Sequence, residues 1–165
     1  MPWTCDLVEE LKQEYGAGIL NAATYLGQNY LVVDQSVCHQ VIAALRGQFG
    51  YTSLTDISAV HYPKDALPFE MFWILYSMSS EERVRVKARF AETDEVPTMT
   101  DLWVGANWLE REVFDMFGLR FAGHPNLRRI LMPDGWAGHP LRKDYGAEQQ
   151  DTAWVQKNLG IESGQ

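Results

Sequence analysis

Cysteine is scarce in this sequence. The two cysteines, Cys5 and Cys38, lie far apart, and neither belongs to a C-x-x-C motif. Iron–sulfur clusters and zinc ribbons need several closely spaced cysteine ligands. We therefore predict that the chain holds no iron–sulfur cluster and no structural zinc ion.

Long apolar runs and export signals are also missing from the sequence. It contains no stretch of about 18 uncharged apolar residues, the length that a membrane-spanning helix requires. The first residues lack the basic region and the apolar run of a signal peptide. We therefore expect a reducing, cytoplasmic setting, and we expect any membrane association to come through a partner protein.

Basic residues are outnumbered by acidic ones. The 14 Lys and Arg residues face 22 Asp and Glu residues, which leaves a net charge of −8. This balance argues against a nucleic-acid partner, because contacts to phosphates require clustered Lys and Arg side chains. The charge is uneven, however, since residues 110–145 carry six basic and five acidic side chains. That segment is therefore the first candidate for a functional surface.

The spacing of apolar residues predicts one α/β domain, of the α+β type, over residues 1–118. The predicted element order is α-β-β-α-β-β-β-α, in which helices pack on a mixed sheet to form two layers. The first predicted helix is capped by Thr4 and ends at Gly16, the second is capped by Asp34 or Ser36 and ends at Gly47, and the third covers residues 101–117. The predicted strands cover residues 19–25, 30–33, 52–62, 69–78 and 83–90.

Two of the predicted strands have distinctive patterns. Residues 69–76 are apolar on both faces except for Glu70, so we expect this strand to be central in the sheet. Residues 83–90 alternate strictly between apolar and basic side chains. The basic ones are Arg83, Arg85, Lys87 and Arg89. We interpret them as the solvated face of an edge strand, and docking onto an acidic partner or anionic lipid head groups remains an alternative.

The third predicted helix carries charged residues beside its apolar stripe. Arg111 and Asp115 lie opposite the stripe, one turn apart, so we expect them to pair along the exposed face. Glu110 lies near aromatic positions, where an unpaired carboxylate is costly to desolvate. Arg128 and Arg129 are its candidate partners, because a guanidinium group matches a carboxylate with two hydrogen bonds. We therefore predict that this helix and the following loop form one salt-bridged unit.

Residues 119–145 are rich in Gly, Pro, His and Arg and lack regular periodicity. They contain two Gly-His-Pro turns, at residues 123–125 and 138–140. Long irregular segments in a compact domain are usually functional or held by a partner. We therefore predict an irregular interface segment over residues 119–145, followed by a polar tail, residues 146–165, with Trp154 as its anchor.

These motifs resemble the signature of a known family. Residues 110–112 (Glu-Arg-Glu), 115–117 (Asp-Met-Phe), His124 and 128–131 (Arg-Arg-Ile-Leu) are similar to those of the C subunit of NADH:quinone oxidoreductase. This is the 30 kDa subunit of respiratory complex I, or type I NADH dehydrogenase. Residues 132–136 and 138–145 resemble that family too. The residues that we assign to interface or structural roles are Glu110, Arg111, Glu112, Asp115, His124, Arg128, Arg129, Trp136, His139, Arg142 and Asp144.

The resemblance implies a non-catalytic structural subunit. Such a subunit docks on the D subunit near the quinone module, in the peripheral arm at the cytoplasmic face of the bacterial plasma membrane. FMN and iron–sulfur clusters reside in partner subunits, so we expect no catalytic, cofactor-binding or metal-binding residues in this chain. The resemblance also implies that the chain supports electron transfer from NADH to quinone, coupled to proton translocation, and reaches the membrane only through other subunits.

Two other functions remain open. The same scaffold role exists in a related photosynthetic or hydrogenase-type complex. A different class, a small free-standing metal-dependent hydrolase, would use the histidines together with Glu110 and Glu112. The four histidines lack an i, i+4 pair and an H-E-x-x-H motif, and glutamates two apart on a helix do not face each other. The hydrolase is therefore the weaker alternative.

Overall fold

The structure, a computed structural model, describes residues 1–146 and 152–160. The elements in chain order are α1 Asp6–Tyr15, a short 3-10 helix Gly16–Gly18, β1 Ile19–Tyr25, β2 Gln28–Val33, α2 Cys38–Gly47, β3 Ser53–His61, β4 Phe69–Ser77, β5 Glu82–Phe90, β6 Glu95–Pro97, α3 Ala106–Phe117, β7 Arg120–Ala122 and α4 Thr152–Leu159. The helices of the described residues include none that is long and apolar enough to cross a membrane.

Five strands form one mixed sheet in the order β1-β2-β5-β4-β3. β2 and β5 are parallel, and the other neighbouring pairs are antiparallel. The predicted α/β fold class and the order α-β-β-α-β-β-β-α are confirmed, with β6 as an addition between β5 and α3. The connection from β2 through α2 to the rest of the sheet makes the parallel pairing possible, because parallel neighbours require a crossover.

The prediction that the basic strand lies at an edge of the sheet is wrong. β5 is the middle strand, because it pairs with β4 on one side and with β2 on the other. β4, the predicted central strand, lies one position away, between β5 and β3. Alternation of apolar and polar residues shows which face of a strand is buried, but it does not show how many neighbours the strand has.

The core lies between one face of the sheet and the helices α1, α2 and α3. Every second residue of β4 and β5 is buried on this face, and Trp73 and Phe90 are among the largest side chains there. Burial of each such side chain stabilises the fold by about 1.5–3 kcal/mol. On the opposite face of the sheet, the basic side chains Arg85, Lys87 and Arg89 of β5 are half-buried and Arg83 is exposed.

Two predicted helix caps do not form. α1 follows Cys5 and α2 follows Val37, and neither helix has a side-chain cap. The carboxylate of Asp34 instead accepts hydrogen bonds from the amide and the hydroxyl of Ser36. Short polar side chains form hydrogen bonds in turns as readily as at helix starts. Thr4 and Asp34 therefore match the sequence pattern of a helix cap although neither caps a helix.

A second, two-stranded sheet joins the segment before α3 to the segment after it. Its two strands, β6 and β7, are parallel, with Glu95 opposite Arg120. β7 falls in the segment predicted to be irregular, and α4 falls in the predicted polar tail. Strands of three residues are too short to show a period. α3 begins at Ala106 rather than at residue 101, because residues 99–103 form separate turns. The division of the chain after residues 118 and 145 remains a prediction.

Candidate functional site

The candidate site lies along α3 and the chain that follows β7. We call residues 123–145 the extension, because they contain both Gly-His-Pro turns and include neither a helix nor a strand. Such a segment cannot satisfy its backbone groups through a regular ladder of hydrogen bonds, so other groups must do so. Many of those groups come from α3.

Asp115 of α3 binds the backbone of the extension. Its fully buried carboxylate accepts hydrogen bonds from the amides of Ile130 (3.0 Å), Leu131 (2.7 Å) and Met132 (2.8 Å). Arg129 Nη1 donates a fourth hydrogen bond at 2.8 Å. Burial by itself raises the pKa of Asp115, but these four donors outweigh it and hold the pKa below its usual value. Asp115 is therefore a buried anion with a complete set of donors.

Arg111, one turn before Asp115, binds the carbonyl groups of the same segment. Its Nε donates to the carbonyl oxygen of Arg128 at 3.0 Å, and its Nη2 donates to that of Arg129 at 3.3 Å. Its guanidinium group lies 4.9 Å from the ring centroid of Trp108. The predicted exposed pair of Arg111 and Asp115 is therefore wrong, because both side chains are buried under the extension. The helix offers a cation to the carbonyls and an anion to the amides.

Glu110 has different partners from those predicted. Its fully buried carboxylate accepts hydrogen bonds from the hydroxyl of Thr98 and the amide of Met99, both at 2.6 Å. Arg129 is bound to Asp115 and Arg128 is exposed, so neither pairs with Glu110 as predicted. Burial raises the pKa of Glu110 to about 7, although the two hydrogen bonds lower it. This carboxyl group can change its charge near neutral pH.

The first Gly-His-Pro turn is fastened to the start of α3. His124 Nε2 lies 3.2 Å from the carbonyl oxygen of Asn107, and the amide of Asn126 donates to His124 Nδ1 at 3.0 Å. These contacts fit the tautomer with the proton on Nε2. Nε2 is also 4.0 Å from Glu110, and both side chains are fully buried. His124 therefore fixes the shape of the turn.

The second Gly-His-Pro turn packs against the end of α3. His139 Nδ1 lies 2.9 Å from the carbonyl oxygen of Asp115, and Arg129 Nη2 donates to the carbonyl oxygen of Gly138 at 2.9 Å. Gly118, which ends α3 with a φ of +82°, leaves room for the His139 ring. A Cβ atom on Gly118 would come within 2.7 Å of His139 Cδ2. A glycine is therefore needed here for conformation and for space.

The end of the extension is bound to the five-stranded sheet. Arg142 donates from Nε and Nη2 to both carboxylate oxygens of Asp144 at 3.0 Å, and from Nη1 to Glu92 at 2.6 Å. The hydrogen bonds from Arg142 lower the pKa of Asp144. The amide of Lys143 donates to Nδ1 of His61, the last residue of β3, at 3.0 Å. These contacts hold residues 142–144 on the chain's own domain.

Two tryptophans join the extension to α4. Trp136 Nε1 donates to the hydroxyl of Tyr145 at 3.2 Å, and its ring meets that of Trp154 edge to face at 5.7 Å. Trp154 Nε1 donates to the carbonyl oxygen of Asp134 at 3.0 Å. Trp154 thus makes the anchoring contact expected of it. The predicted interface role of Trp136 remains a prediction, and its observed contacts are within the chain.

The predicted site residues therefore fall into two groups. Glu110, Arg111, Asp115 and the side chain of His124 are buried, and Arg129, His139 and Arg142 are bound within the chain. Glu112 and Arg128 are exposed. Large exposed apolar side chains within α3 and the extension include Trp108 (62% exposed), Leu131 (60%) and Leu141 (50%). Most of the motif shapes the extension, and only a part of it faces outwards.

Several residues that bind the site lie outside the motif, and no sequence pattern indicated them. Thr98 and Met99 bind Glu110, and Glu92 and His61 bind the end of the extension, across 50 and 82 residues of sequence. The acidic residues before α3 were the one available hint of a partner for Arg142.

The hydrolase alternative gains no support, because Glu110 is buried and Glu112 is exposed. Within residues 1–146 and 152–160, no three His, Cys, Asp or Glu side chains are grouped to hold a metal ion.

Comparisons with known sequences identify relatives over most of the chain. A family model described as "Respiratory-chain NADH dehydrogenase, 30 Kd subunit" matches residues 31–151. A protein of Citrifermentans bemidjiense, named as the C subunit of NADH-quinone oxidoreductase, is 41% identical over 145 residues, which cover 87% of this chain and 90% of that protein. A protein of the same name from Rhodobacter capsulatus is 40% identical over 142 residues, covering 85% of this chain and 71% of that protein.

Two further matches are a longer protein and a solved structure of low sequence identity. A protein of Acinetobacter baumannii, named as the C/D subunit of NADH-quinone oxidoreductase, is 41% identical over 150 residues, which cover 86% of this chain but 25% of that protein. A chain in the solved structure of the membrane-bound sulfane sulfur reductase, an archaeal respiratory membrane complex, has a TM-score of 0.74. That match covers 94% of this chain and 91% of that chain at 21% identity, so it shows a shared fold.

Proposed function

Because the chain belongs to the family of the 30 kDa subunit of respiratory-chain NADH dehydrogenases, we propose that it is a non-catalytic structural subunit of an NADH:quinone oxidoreductase. In this role it supports electron transfer from NADH to quinone, coupled to proton translocation. FMN and the iron–sulfur clusters are held by partner subunits. The chain sits in the peripheral arm at the cytoplasmic face of the bacterial plasma membrane and reaches the membrane through its partners.

The observation that carries this proposal is that the charged side chains of the motif bind the extension from the inside, while apolar side chains of the extension are exposed. Asp115 and Arg111 bind the extension from within, so its shape is set before any partner binds. A preorganised surface loses less conformational entropy on binding. Leu131 and Leu141 are left on the outside of the extension, and Trp108 of α3 is exposed as well; apolar and aromatic side chains of this kind are typical of the centre of a protein interface. The extension therefore suits a fixed docking surface.

We propose the D subunit as the partner of this surface. The Acinetobacter baumannii relative is named as a C/D subunit, and the matched region occupies a quarter of its length. A single chain that carries both names keeps the two subunits at high effective concentration, which suits two domains that dock on each other. Docking on D near the quinone module gives the chain a structural role beside the chemistry of its neighbour.

A pair of substitutions on the outer surface tests the proposal. We expect Leu131→Asp with Leu141→Asp to lower the amount of assembled complex strongly, because charges would be buried in an apolar interface. The rate of NADH-dependent quinone reduction per assembled complex should stay near normal. Leu20→Asp is the matched control, because Leu20 is equally exposed (59%) and lies on β1, away from the extension.

Two outcomes would contradict the proposal. Normal assembly with lost turnover would point to a direct role in quinone chemistry. Membranes of a strain that lacks the chain are also expected to lose NADH-dependent quinone reduction. If they keep it and lose another respiratory activity, the alternative of a related complex would replace the proposal.

A further inference from the structure

The face of the five-stranded sheet that points away from the helices has no part in the proposed docking on D. We call it the open face, and on the three central strands it consists of Gln28, Tyr30, Val32, Glu70, Phe72, Ile74, Tyr76, Arg83, Arg85, Lys87 and Arg89. α1, α2 and α3 pack on the other face, and the extension binds α3 and His61. The open face and the extension are therefore separate surfaces.

The open face is basic in a chain whose net charge is −8. Its strands carry the four basic residues of β5 against two carboxylates, those of Asp56 and Glu70. Glu70 lies 3.1 Å from Lys87 and 3.2 Å from Arg89, and Asp65 lies 3.1 Å from Arg89. Among the described residues, no carboxylate lies within ion-pair distance of Arg83 or Arg85. The positive charge is thus concentrated on one part of the face.

Arg85 is held in place without a carboxylate. Its guanidinium group lies 5.4 Å from the ring centroid of Phe72, and its Nη2 donates to Gln28 Oε1 at 3.4 Å. Its Nε is buried, and in the part of the chain that the structure describes no acceptor binds it. A buried N–H group without an acceptor costs free energy, so a partner that supplies an acceptor is favoured.

A small cavity lies next to Arg85. Its volume is about 160 Å³, and it is lined by Tyr25, Gln28, Asn29, Tyr30, Arg85 and Lys87. Lys87 Nζ lies 5.2 Å from the ring centroid of Tyr30, so both cations are held close to the sheet. The cavity is smaller than the roughly 300–1,000 Å³ typical of sites for drug-sized ligands. It is of a size for one side chain.

We propose that the open face binds an acidic segment of a partner protein, one carboxylate of which enters the cavity between Arg85 and Lys87. This carboxylate accepts a hydrogen bond from Arg85 Nε, and apolar parts of the segment contact Phe72 and Ile74. Charge complementarity identifies the occupant, because the surface is basic and a carboxylate is the strongest acceptor for the unpaired N–H group of Arg85. With the extension on the other side, the subunit links two neighbours in the complex.

The composition of the face favours a protein over a membrane surface. Anionic lipids attract lysine and arginine clusters that protrude into the head groups. Here Arg85, Lys87 and Arg89 lie over aromatic rings instead of protruding. Aromatic residues and arginine are also enriched in protein interfaces. A lipid partner is therefore the alternative that the experiment must separate.

The first experiment places a photoreactive amino acid at position 74 in the assembled complex. Ile74 pairs directly with Arg85 in the sheet register, so the probe lies beside the cavity. Gln13, exposed on α1, is the control position. We expect a cross-link from position 74 to a peptide of another subunit that contains several Asp or Glu residues. A cross-link to lipid, to a second copy of this chain or to a peptide without carboxylates would overturn the proposal, as would a yield no higher than that of the control.

The second experiment tests the role of the charges with the purified full chain. A synthetic peptide of the cross-linked sequence should bind with an affinity that falls as salt rises. Arg85→Gln should weaken binding about tenfold, which matches the loss of one hydrogen bond to a charged group. Arg83→Gln is the matched control, because Arg83 is an exposed arginine of β5 that does not line the cavity.

Substitutions in the peptide test the same contact without altering the chain, so the result does not depend on whether the Arg variants fold. Replacing the Asp and Glu residues of the peptide by Asn and Gln should abolish its binding to the unaltered chain. Equal binding of the neutral peptide, or equal losses for Arg85→Gln and Arg83→Gln, would overturn the proposal. Failure of this test leaves the role of the extension intact, because Leu131 and Leu141 are not part of the open face.

Discussion

The two carboxylates buried along α3 respond to burial in opposite ways. Glu110 and Asp115 are both fully buried. Glu110 accepts hydrogen bonds from one hydroxyl and one amide, and burial raises its pKa to about 7. Asp115 accepts bonds from three amides and from Arg129, and its pKa is below the usual value. The number and charge of the donors, rather than burial alone, decide whether a buried carboxyl group stays ionised.

The two ends of α3 therefore carry carboxyl groups of different character. The start of α3 carries a carboxyl group whose charge can change near neutral pH, next to the loop of residues 98–100. The end of α3 carries a carboxylate that is ionised at neutral pH and holds the extension through residues 129–132. Changes at the end of α3 are therefore expected to have larger effects on the proposed docking surface.

The largest effect is expected for Asp115→Asn. The substitution removes the charge that pairs with Arg129 and turns an amide group towards three backbone N–H donors. Breaking one partner of a buried ion pair costs about 3–5 kcal/mol. We expect a decrease of this size in the free energy of unfolding, measured by urea denaturation at pH 7, and little assembled complex.

Glu112→Gln is the control for this prediction, because Glu112 is exposed on the same helix. Surface substitutions of this kind usually change stability by no more than about 0.5 kcal/mol. Since the pKa of Asp115 is lowered by folding, its contribution is present above the unfolded value of 3.8 and is lost as pH falls through the folded pKa. The Asp115→Asn variant should therefore differ less from the original chain in its free energy of unfolding in acid than at pH 7. An equal difference at both pH values would contradict the assignment of Asp115 as a buried anion.

The second effect concerns Glu110 and depends on pH. The folded chain keeps the Glu110 proton up to a pH of about 7, whereas the unfolded chain loses it near 4.5. The folded state thus binds more protons between these values, and stability falls as pH rises from 4.5 to 7 and then levels off. The total cost above pH 7 is roughly 3 kcal/mol, from the energy of a pKa shift of this size.

Glu110→Gln removes this titration while keeping a side chain of the same shape. We expect the Gln variant to be similar in stability to the original chain in mild acid and more stable than it above neutral pH. Urea denaturation over a pH series measures the difference, and Glu112→Gln should leave the pH profile of the original chain unchanged. Parallel profiles for the Glu110 variant and the original chain would show that Glu110 does not titrate near pH 7.

The smallest of the three effects compares glycines at the two ends of α3. Gly118 has a φ of +82°, and a Cβ atom there would meet the ring of His139 at 2.7 Å. The left-handed conformation costs a non-glycine residue about 1–2 kcal/mol, to which the displacement of His139 is added. We expect Gly118→Ala to lower the free energy of unfolding by about 2 kcal/mol.

Gly105, at the start of α3, is the matched control. Its φ is −65°, and apart from its own neighbours along the chain no atom of the described residues lies within 4 Å of the Cβ position. Gly→Ala substitutions at such positions stabilise a protein by about 0.4–1 kcal/mol, because they restrict the unfolded chain. Equal effects of Gly105→Ala and Gly118→Ala on urea denaturation would show that the close packing of His139 on α3 is not important.

Much of the fold was predictable from local patterns. The alternation in β5 identified its buried and exposed faces, and the apolar stripe on α3 indicated that one side of this helix is buried, as Val113 and Met116 are. The family resemblance was predictable too, because it rests on contiguous residues of the motif. The position of β5 in the sheet was not predictable, since its parallel pairing with β2 joins residues more than 50 positions apart.

The partners of the charged residues were mostly not predictable. The spacing of Arg111 and Asp115 favours a pair on an exposed helix, but this rule takes no account of a later segment that covers the helix. The extension covers both side chains and supplies carbonyls to one and amides to the other. Glu110 illustrates the same point, because its donors come from the loop before α3 and not from Arg128 or Arg129.

The sequence by itself determined the α/β class, the buried face of each main strand and the segment in which the motif residues lie. Those properties depend on periods of two to four residues and on contiguous motifs, which are local. The tertiary structure alone decided that β5 is central, that Asp115 is a buried anion and that Glu110 is a buried acid. The reason is physical: the charge of a buried group depends on which donors surround it, and here they come from distant parts of the chain.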